Sequence, residues 1–258
     1  MGSSTRLVVL GSCGAWPEPG RACAGFLVEE AGFRLVLDLG YGTLSRLLSE
    51  LGSASAEGLD AVVITHRHPD HCIDLHGLLR ARWFGDRGVP PIPLCCPADV
   101  MERLVNLEDG DRSAIDATFR WAPLPADPFL LGPFRLLSVP LRHHVPNVGV
   151  RLESEGGTVV YTGDTGMDAR LPELARDADL LIIDATTRDQ RPGSAPADEL
   201  NLSDVEAGRV AAAAGVRRLL LTHFWPGNDR EASLRAAATA YPGPILLAGE
   251  GLTLTLEA

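Results

Sequence analysis

The chain has 258 residues and a mass of 27.5 kDa, and its 45% hydrophobic content is that of a globular protein with a large buried core. All 23 basic residues are arginine, which excludes lysine-dependent chemistry such as Schiff-base formation or a Walker-type phosphate loop. The formal net charge of −11 argues against a long nucleic acid as partner, but it is compatible with a small anionic substrate bound at a metal.

Neither a membrane segment nor an export signal is visible. No apolar run approaches the roughly 20 residues that a transmembrane helix needs, and the apolar stretch near the N-terminus is too short for a signal peptide. The five cysteines form no Cys-x-x-Cys pair, so we expect reduced thiols. These features predict a cytoplasmic protein without a membrane partner.

Short apolar and β-branched runs along the chain predict strands, and amphipathic segments between them predict helices. The predicted strands are Leu7–Leu10, Gly25–Val28, Leu35–Leu37, Ala61–Thr65, Phe134–Val139, Val148–Leu152, Thr158–Thr162, Leu180–Ile183, Leu219–Thr222 and Ile245–Leu247. The predicted helices are Thr43–Leu51, Ile73–Phe84, Ala98–Asn106, Asp204–Ala214 and Glu231–Thr239. This succession favours an α/β fold of stacked sheets flanked by helices, in one domain over residues 1–258. We interpret Trp121–Pro133 and Arg188–Asp198 as connectors.

The strongest chemical signal is a histidine cluster directly after the predicted strand Ala61–Thr65. His66 and His68 point the same way in extended backbone, and Asp70 and His71 open the next helix beside them. Three imidazoles and a carboxylate within six residues suit zinc or another borderline divalent metal. The alternative is a solvated polar loop.

Further candidate ligands follow other predicted strands. His143 and His144 come after one strand, Asp164 after a second and His223 after a third. Side chains at strand ends converge on one rim of a layered α/β fold, where active sites commonly lie. Together with the histidine cluster, these residues suffice for two metal ions.

The motifs resemble those of the metallo-β-lactamase-fold hydrolases over nearly the whole chain. Asp164 lies in Thr-Gly-Asp-Thr and His223 ends Leu-Leu-Leu-Thr-His. Within that superfamily the chain is most similar to the ribonuclease Z-like branch and the related cyclic-nucleotide phosphodiesterases, through the segments ADLLIIDAT, HHVPNVGVRLE and LSDVEAGRVAAAAGVRRLLLTHF. The resemblance implies a four-layer αββα sandwich.

The resemblance also implies two divalent metal ions, with zinc expected and manganese or iron as alternatives. The implied ligands are His66, His68 and His143 at one site, Asp70, His71 and His223 at the other, and Asp164 between them. Family members place the first-site ligand six residues before a glycine, here Gly149, which favours His143 over His144. The implied reaction is hydrolysis by a hydroxide held between the ions, with Asp70 also counted as catalytic.

Two positions depart from the ribonuclease Z-like pattern, which carries Glu in an Glu-Ala-Thr phrase and His in a His-x-Thr phrase. This chain has Asp184 and Asn201 there, and asparagine cannot become cationic or shuttle a proton. We still count both as candidate catalytic residues.

The substrate expected from this pattern is a small phosphodiester such as a cyclic nucleotide. A carbonyl hydrolase acting on a lactone, thioester or biosynthetic intermediate is the alternative. A ribonuclease Z-type endonuclease is less favoured, since no long basic insertion that could grip tRNA is visible. A non-catalytic metal-binding scaffold is also less favoured, because every ligand is retained. A homodimer is compatible with the sequence.

Three other residues have two interpretations each. Asp38, after the predicted strand Leu35–Leu37, either orients the histidine loop or is a plain turn carboxylate. Phe224 and Trp225, directly after His223, either wall the pocket or pack in the core.

Overall fold

The computed structural model of the protein describes residues 3–85, 89–186 and 200–257. The strands are β1 (Ser4–Gly11), β2 (Gly25–Glu30), β3 (Phe33–Leu37), β4 (Ala61–Val63), β5 (Ile92–Cys96), β6 (Phe119–Pro123), β7 (Phe129–Leu131), β8 (Phe134–Leu141), β9 (Asn147–Ser154), β10 (Gly157–Tyr161), β11 (Leu180–Asp184), β12 (Leu219–Thr222), β13 (Ile245–Leu247) and β14 (Thr253–Glu257). The helices are α1 (Thr43–Leu51), α2 (Pro69–Cys72), α3 (Asp74–Gly85), α4 (Ala98–Leu107), α5 (Ser113–Thr118), α6 (Leu171–Leu174), α7 (Asp204–Ala214) and α8 (Arg230–Ala238).

The described strands form two seven-stranded mixed sheets. The first sheet has the order β14-β1-β2-β3-β4-β5-β6, and its strands from β3 to β6 run parallel. The second has the order β13-β12-β11-β10-β9-β8-β7, with β10 to β13 parallel and the hairpin strands β7 to β10 antiparallel. Parallel strands bring their carboxyl ends to the same edge, where loops can gather functional side chains.

Alternating side chains of the strands divide the interior into three apolar layers. In β1, Leu7 and Val9 point toward the second sheet, whereas Val8 and Leu10 pack under the helices, as the period of two in a strand requires. A third apolar cluster lies between the second sheet and helices α6 to α8. The predicted four-layer αββα sandwich is therefore confirmed.

The two sheets meet at the rim that follows β4. An isolated β-bridge joins His66, beyond β4 of the first sheet, to Asn147 at the start of β9 in the second. The backbone N–H of Val148 donates to the carbonyl of Thr65 at 3.1 Å. This contact brings the histidine loop of one sheet against the strand ends of the other.

The prediction that Trp121–Pro133 is a connector is wrong. The segment contains the end of β6 and all of β7, which are the edge strands of the two sheets. The edge position accounts for the missed signal, because β6 is largely exposed and Pro123 at its end is tolerated there. The other predicted connector, Arg188–Asp198, lies outside the described residues. Across the described ranges, none of the helices combines the length and apolar character needed to cross a bilayer.

Candidate metal centre

The histidine cluster lies between β4 and α3, where the chain leaves the first sheet. His66 follows β4, and His68 adopts extended backbone directly before the short helix α2. Asp70 and His71 are in the first turn of α2, which Pro69 begins. The turn therefore presents all four side chains at one edge of the first sheet.

The second sheet supplies the other three predicted ligands from loops at the same rim. His143 follows β8, Asp164 follows β10 and His223 follows β12. His223 has a φ of 60°, a conformation that costs energy for a residue other than glycine and is typical of functional sites.

The structure brings all seven predicted ligands together in two groups that share Asp164. In each group one ligand atom per residue lies within 4.8 Å of every other. The first group is His66, His68, His143 and Asp164, and the second is Asp70, His71, Asp164 and His223. His144 belongs to neither group and is exposed, so the geometry favours His143 over its neighbour.

Three ring nitrogens of the first group face one another. Nδ1 of His68 lies 3.1 Å from Nε2 of His66 and 3.1 Å from Nε2 of His143. Such convergence of imidazole nitrogens suits a bound cation, because neutral imidazoles can direct their lone pairs to a common centre.

Hydrogen bonds outside the cluster fix the tautomers of His66 and His143. The hydroxyl of Thr65 donates to Asp38 at 2.8 Å, so Nδ1 of His66, 3.0 Å from that hydroxyl, must be the donor to it. In His143, Nδ1 donates to the backbone carbonyl of Leu200 at 2.9 Å. Both rings therefore keep the lone pair of Nε2 for the centre.

The same arrangement holds in the second group. Nδ1 of His71 donates to Asp38 Oδ2 at 2.7 Å, and Nδ1 of His223 donates to Thr186 Oγ1 at 3.0 Å. Both Nε2 atoms face carboxylates: that of His223 lies 3.0 Å from Asp164 Oδ2, and that of His71 lies 3.2 Å from Asp164 Oδ1.

Two buried atoms of the second group show that the donor set fits divalent cations. Nε2 of His71 and Oδ1 of Asp164 are fully buried, yet neither forms a hydrogen bond of good geometry with any described residue. Burying an unsatisfied polar atom is costly, and a coordinated cation would satisfy both. Imidazole nitrogens and carboxylate oxygens are ligands that zinc, manganese and iron accept.

The charges of the ligand residues also favour a bound cation. Burial lowers the pKa of His66, and the nearby His71 lowers it further, so this ring is neutral at pH 7. Burial also lowers the pKa of His223, but Asp164 and Asp70 outweigh burial and raise it to about 10. Burial would raise the pKa of Asp164, but His223 and His71 hold it well below its usual value. The carboxylates thus attract positive charge, whether as protons or as a metal ion.

Asp184 and Asn201 lie together but outside the two groups. Asp184 ends β11, is fully buried, and its Oδ2 accepts hydrogen bonds from Asn201 Nδ2 and from the backbone N–H of Leu202, both at 3.2 Å. Burial and the Asp164 carboxylate raise the pKa of Asp184 to about 8. Both effects favour the un-ionised form of this buried carboxyl group.

Sequence reasoning missed several residues that support the ligands. Thr65 and Thr186 accept the histidine protons, and the backbone N–H of Ala15 donates to Asp70 Oδ2 at 2.6 Å. The Tyr161 hydroxyl donates to Asp38 Oδ2 at 2.8 Å. No sequence spacing links these residues to their partners, since all but Thr65 are far away along the chain. Phe224 is fully buried in the outer core, whereas Trp225 is half-buried.

Comparisons with a family model, with relatives and with solved structures all point to the same protein family. A family model described as "Beta-lactamase superfamily domain" matches residues 22–224. An uncharacterized protein of Mycobacterium tuberculosis is 34% identical over 94% of this chain and 89% of its own length. A ribonuclease Z of Kineococcus radiotolerans is 30% identical over 93% of this chain and 91% of its own length. The crystal structure of the metallo-β-lactamase-fold protein YhfI from Bacillus subtilis superposes with a TM-score of 0.85 at 26% identity, covering 98% of this chain and 99% of that one.

Proposed function

This chain belongs to the β-lactamase superfamily as a metal-dependent hydrolase, and on that premise we propose that it hydrolyses a small phosphodiester, such as a cyclic nucleotide, at two divalent ions. The observation that carries the proposal is Asp164, which both ligand groups share. Its Oδ2 lies 3.8 Å from Nε2 of His143 in the first group and 3.0 Å from Nε2 of His223 in the second, and its Oδ1 lies 3.2 Å from Nε2 of His71. His66, His68 and His143 would hold one ion and Asp70, His71 and His223 the other, with zinc favoured by the nitrogen-rich donor set.

The ligand set selects for an anionic substrate. Asp70 and Asp164 contribute two negative charges and the five imidazoles none, so the set leaves two divalent ions with excess positive charge. When bound, such a pair activates water for attack and neutralises charge that develops on a phosphate. The chain's part is to orient the ligands: the acceptors on Nδ1 of His66, His71, His143 and His223 hold each Nε2 toward the centre.

The surface argues for a small substrate. A long polyanion needs many cationic contacts, and the net charge of −11 disfavours them. Arg67, between two proposed ligands, has its guanidinium 3.1 Å from the Asp99 carboxylate, so its charge is already balanced. A single phosphodiester needs no partners beyond the centre.

Proton transfer to the leaving group is assigned to the Asp184–Asn201 pair. Asn201 cannot donate a proton as an acid, but its amide orients the Asp184 carboxyl group through the 3.2 Å hydrogen bond. Burial and the Asp164 carboxylate raise the pKa of Asp184, which favours the protonated form that a general acid needs. Asp184 is shorter than the glutamate that the ribonuclease Z-like pattern has at this position. This departure also supports the second candidate function, a carbonyl hydrolase.

The test is a substrate panel on metal-loaded protein: cyclic nucleotides, bis(p-nitrophenyl) phosphate, a lactone, a thioester and a tRNA precursor. Hydrolysis of the small phosphodiesters, lost in Asp164→Ala, is the expected result, with His144→Ala as matched control. Turnover of the lactone or thioester alone would replace the proposal by the carbonyl hydrolase. Efficient 3′ processing of the tRNA precursor would overturn the argument from charge.

A further inference from the structure

We propose that Trp16 and Trp225 form a stacking site for a nucleobase beside the metal centre, which makes the substrate a nucleotide; this step rests on the proposed phosphodiesterase function. The two indoles, named here the aromatic rim, are 5.3 Å apart between ring centroids and cross at 75°. Trp16 is 47% exposed, so its ring is accessible to a ligand.

The aromatic rim lies next to the second ligand group. The backbone N–H of Ala15, one residue before Trp16, donates to Asp70 Oδ2 at 2.6 Å. Trp225 follows the ligand His223 by two residues. Gly14 lies so close to His223 that a Cβ atom there would meet the imidazole at 2.5 Å. A phosphate at the centre would therefore have the aromatic rim as its neighbour.

Backbone hydrogen bonds join the two segments that carry the aromatic rim. The N–H of Gly14 donates to the carbonyl of Phe224 at 2.9 Å, and the N–H of Phe224 donates to the carbonyl of Ser12 at 3.0 Å. Arg230 covers the Phe224 ring at 4.6 Å and donates to the Ser12 hydroxyl at 2.9 Å. These contacts fix the backbone of both segments before a ligand arrives, which lowers the entropic cost of binding.

Backbone strain marks the same loop. Ala15 has a φ of 62°, which is unfavourable for a residue with a Cβ atom. Strained residues persist where the surrounding structure enforces them, most often at binding sites. Here the enforced conformation points the Ala15 N–H at Asp70 and leaves the next side chain, Trp16, exposed at the rim.

A nucleobase is the occupant that fits these features. An indole stacks on any base through its π face, and the excess positive charge proposed for the loaded centre selects the phosphate that a nucleotide carries. An aliphatic group would bury apolar surface against the indoles but could not stack on their rings. The aromatic rim thus supplies base affinity without reading the identity of the base.

The test compares AMP with ribose 5-phosphate, which has the same phosphate and sugar but no base. Binding to the metal-loaded protein is measured by calorimetry and by quenching of tryptophan fluorescence. AMP is expected to bind roughly 5- to 100-fold more tightly than ribose 5-phosphate. Trp16→Ala should remove most of that advantage while leaving ribose 5-phosphate unchanged, and Trp16→Phe should restore much of it. Trp121→Ala is the matched control, since that indole is similarly exposed, at 41%, but lies on the edge strand β6.

Equal binding of AMP and ribose 5-phosphate to the wild-type protein would overturn the proposal. So would an equal loss for both ligands in Trp16→Ala, or n-octyl phosphate binding as tightly as AMP. Because these measurements need no turnover, they stand apart from the substrate panel. A base-dependent affinity without phosphodiester hydrolysis would refute the proposed function and keep the nucleobase site.

Discussion

Asp38 holds His71 by a 2.7 Å hydrogen bond between its Oδ2 and the ring Nδ1, from a position directly behind the metal centre. The same carboxylate accepts bonds from the Thr65 backbone at 2.7 Å, the Thr65 hydroxyl at 2.8 Å and the Tyr161 hydroxyl at 2.8 Å. It thus couples the loop of the first sheet to β10 of the second. Its interpretation as an orienting residue is favoured over that of a plain turn carboxylate.

Replacing Asp38 by Asn should weaken metal binding at the second ligand group. The substitution replaces one carboxylate oxygen by an amide NH2 group, which would face the N–H and O–H donors of Thr65, Tyr161 and His71. The His71 ring would then lose its fixed orientation. We expect a loss of about 10- to 100-fold in zinc affinity, measured by competition with a chelating dye. Tyr161→Phe is the control, because it removes one bond and leaves the carboxylate on His71. Unchanged zinc affinity in Asp38→Asn would show that the residue serves stability alone.

The metal content should approach two equivalents per chain. Protein purified without chelator is expected to show this by elemental analysis, because the two groups share only Asp164 and each has three further ligands. Chelation should lower the melting temperature, since a ligand present at about 100 times its Kd stabilises the native state by about 2.7 kcal/mol. One reproducible equivalent, with no gain in activity on adding metal, would contradict the two-ion mechanism.

His143 and His144 should respond differently to alanine substitution. His143→Ala removes a ring nitrogen that lies 3.1 Å from His68, so turnover should disappear and the metal content should fall. His144→Ala removes an exposed ring outside both groups and should leave the metal content near that of the wild type. Elemental analysis of both variants checks this, and the reverse pattern would assign the ligand to His144.

Asp184→Asn should affect substrates according to their leaving group. The change removes the acidic group proposed to protonate the leaving group, and general acid help is worth about 10²–10⁴-fold. We expect a loss of that order in kcat for a cyclic nucleotide, whose leaving alkoxide needs a proton. Hydrolysis of bis(p-nitrophenyl) phosphate should change little, because p-nitrophenolate leaves without one. An equal loss on both substrates would indicate a purely structural role for Asp184.

Glu30 should make the stability depend on pH. Burial alone would raise the pKa of Glu30, but hydrogen bonds from Ser154, Thr5, Ser3 and the Gly156 backbone outweigh it and lower the pKa. A lowered pKa means that the ionised form stabilises the fold above the pKa of the unfolded chain, and that this stability is lost as the pH falls through the folded value.

The measurement is urea unfolding of Glu30→Gln over a pH series. At pH 7 the free energy of unfolding should fall by about 1–3 kcal/mol, because buried donors lose their acceptor. The difference from wild type should shrink as the pH falls below the ordinary range of a glutamate. Glu173→Gln, at an exposed ion pair with Arg176, is the matched control and should leave the stability close to that of the wild type. A pH-independent deficit in Glu30→Gln would contradict the assignment.

Much of the fold could be predicted because local signals agree with the tertiary structure. Helix α7 runs over the predicted range, with the Ser203–Glu206 capping box at its start and Gly215 in the left-handed conformation at its end. Buried strands such as β11 read as continuous apolar runs. Strand β5 was missed because Pro93 interrupts its apolar pattern. Strand β14 was missed although Thr253–Glu257 alternates polar and apolar residues, and its place beside β1 depends on pairing far away in the sequence.

The ligands of the metal centre likewise differ in how far the sequence alone could predict them. His66, His68, Asp70 and His71 are close in sequence, so their spacing alone indicates a metal site. His143, Asp164 and His223 lie on separate loops, and their grouping rested on their places after predicted strands together with a family resemblance; the geometry now supports it. The acceptors Thr186 and the Leu200 carbonyl could not be predicted, because their contacts depend on how the second sheet packs.

Each ligand group takes two residues from loops of the first sheet and two from loops of the second. Neither sheet alone can therefore offer more than half of a coordination sphere, and a complete sphere exists only after the two sheets have docked. Metal uptake would thereby report that the sheets have docked, and the bound ions would resist their separation. Two fragments of the chain split between β6 and β7 would gain full metal affinity only by reassociating.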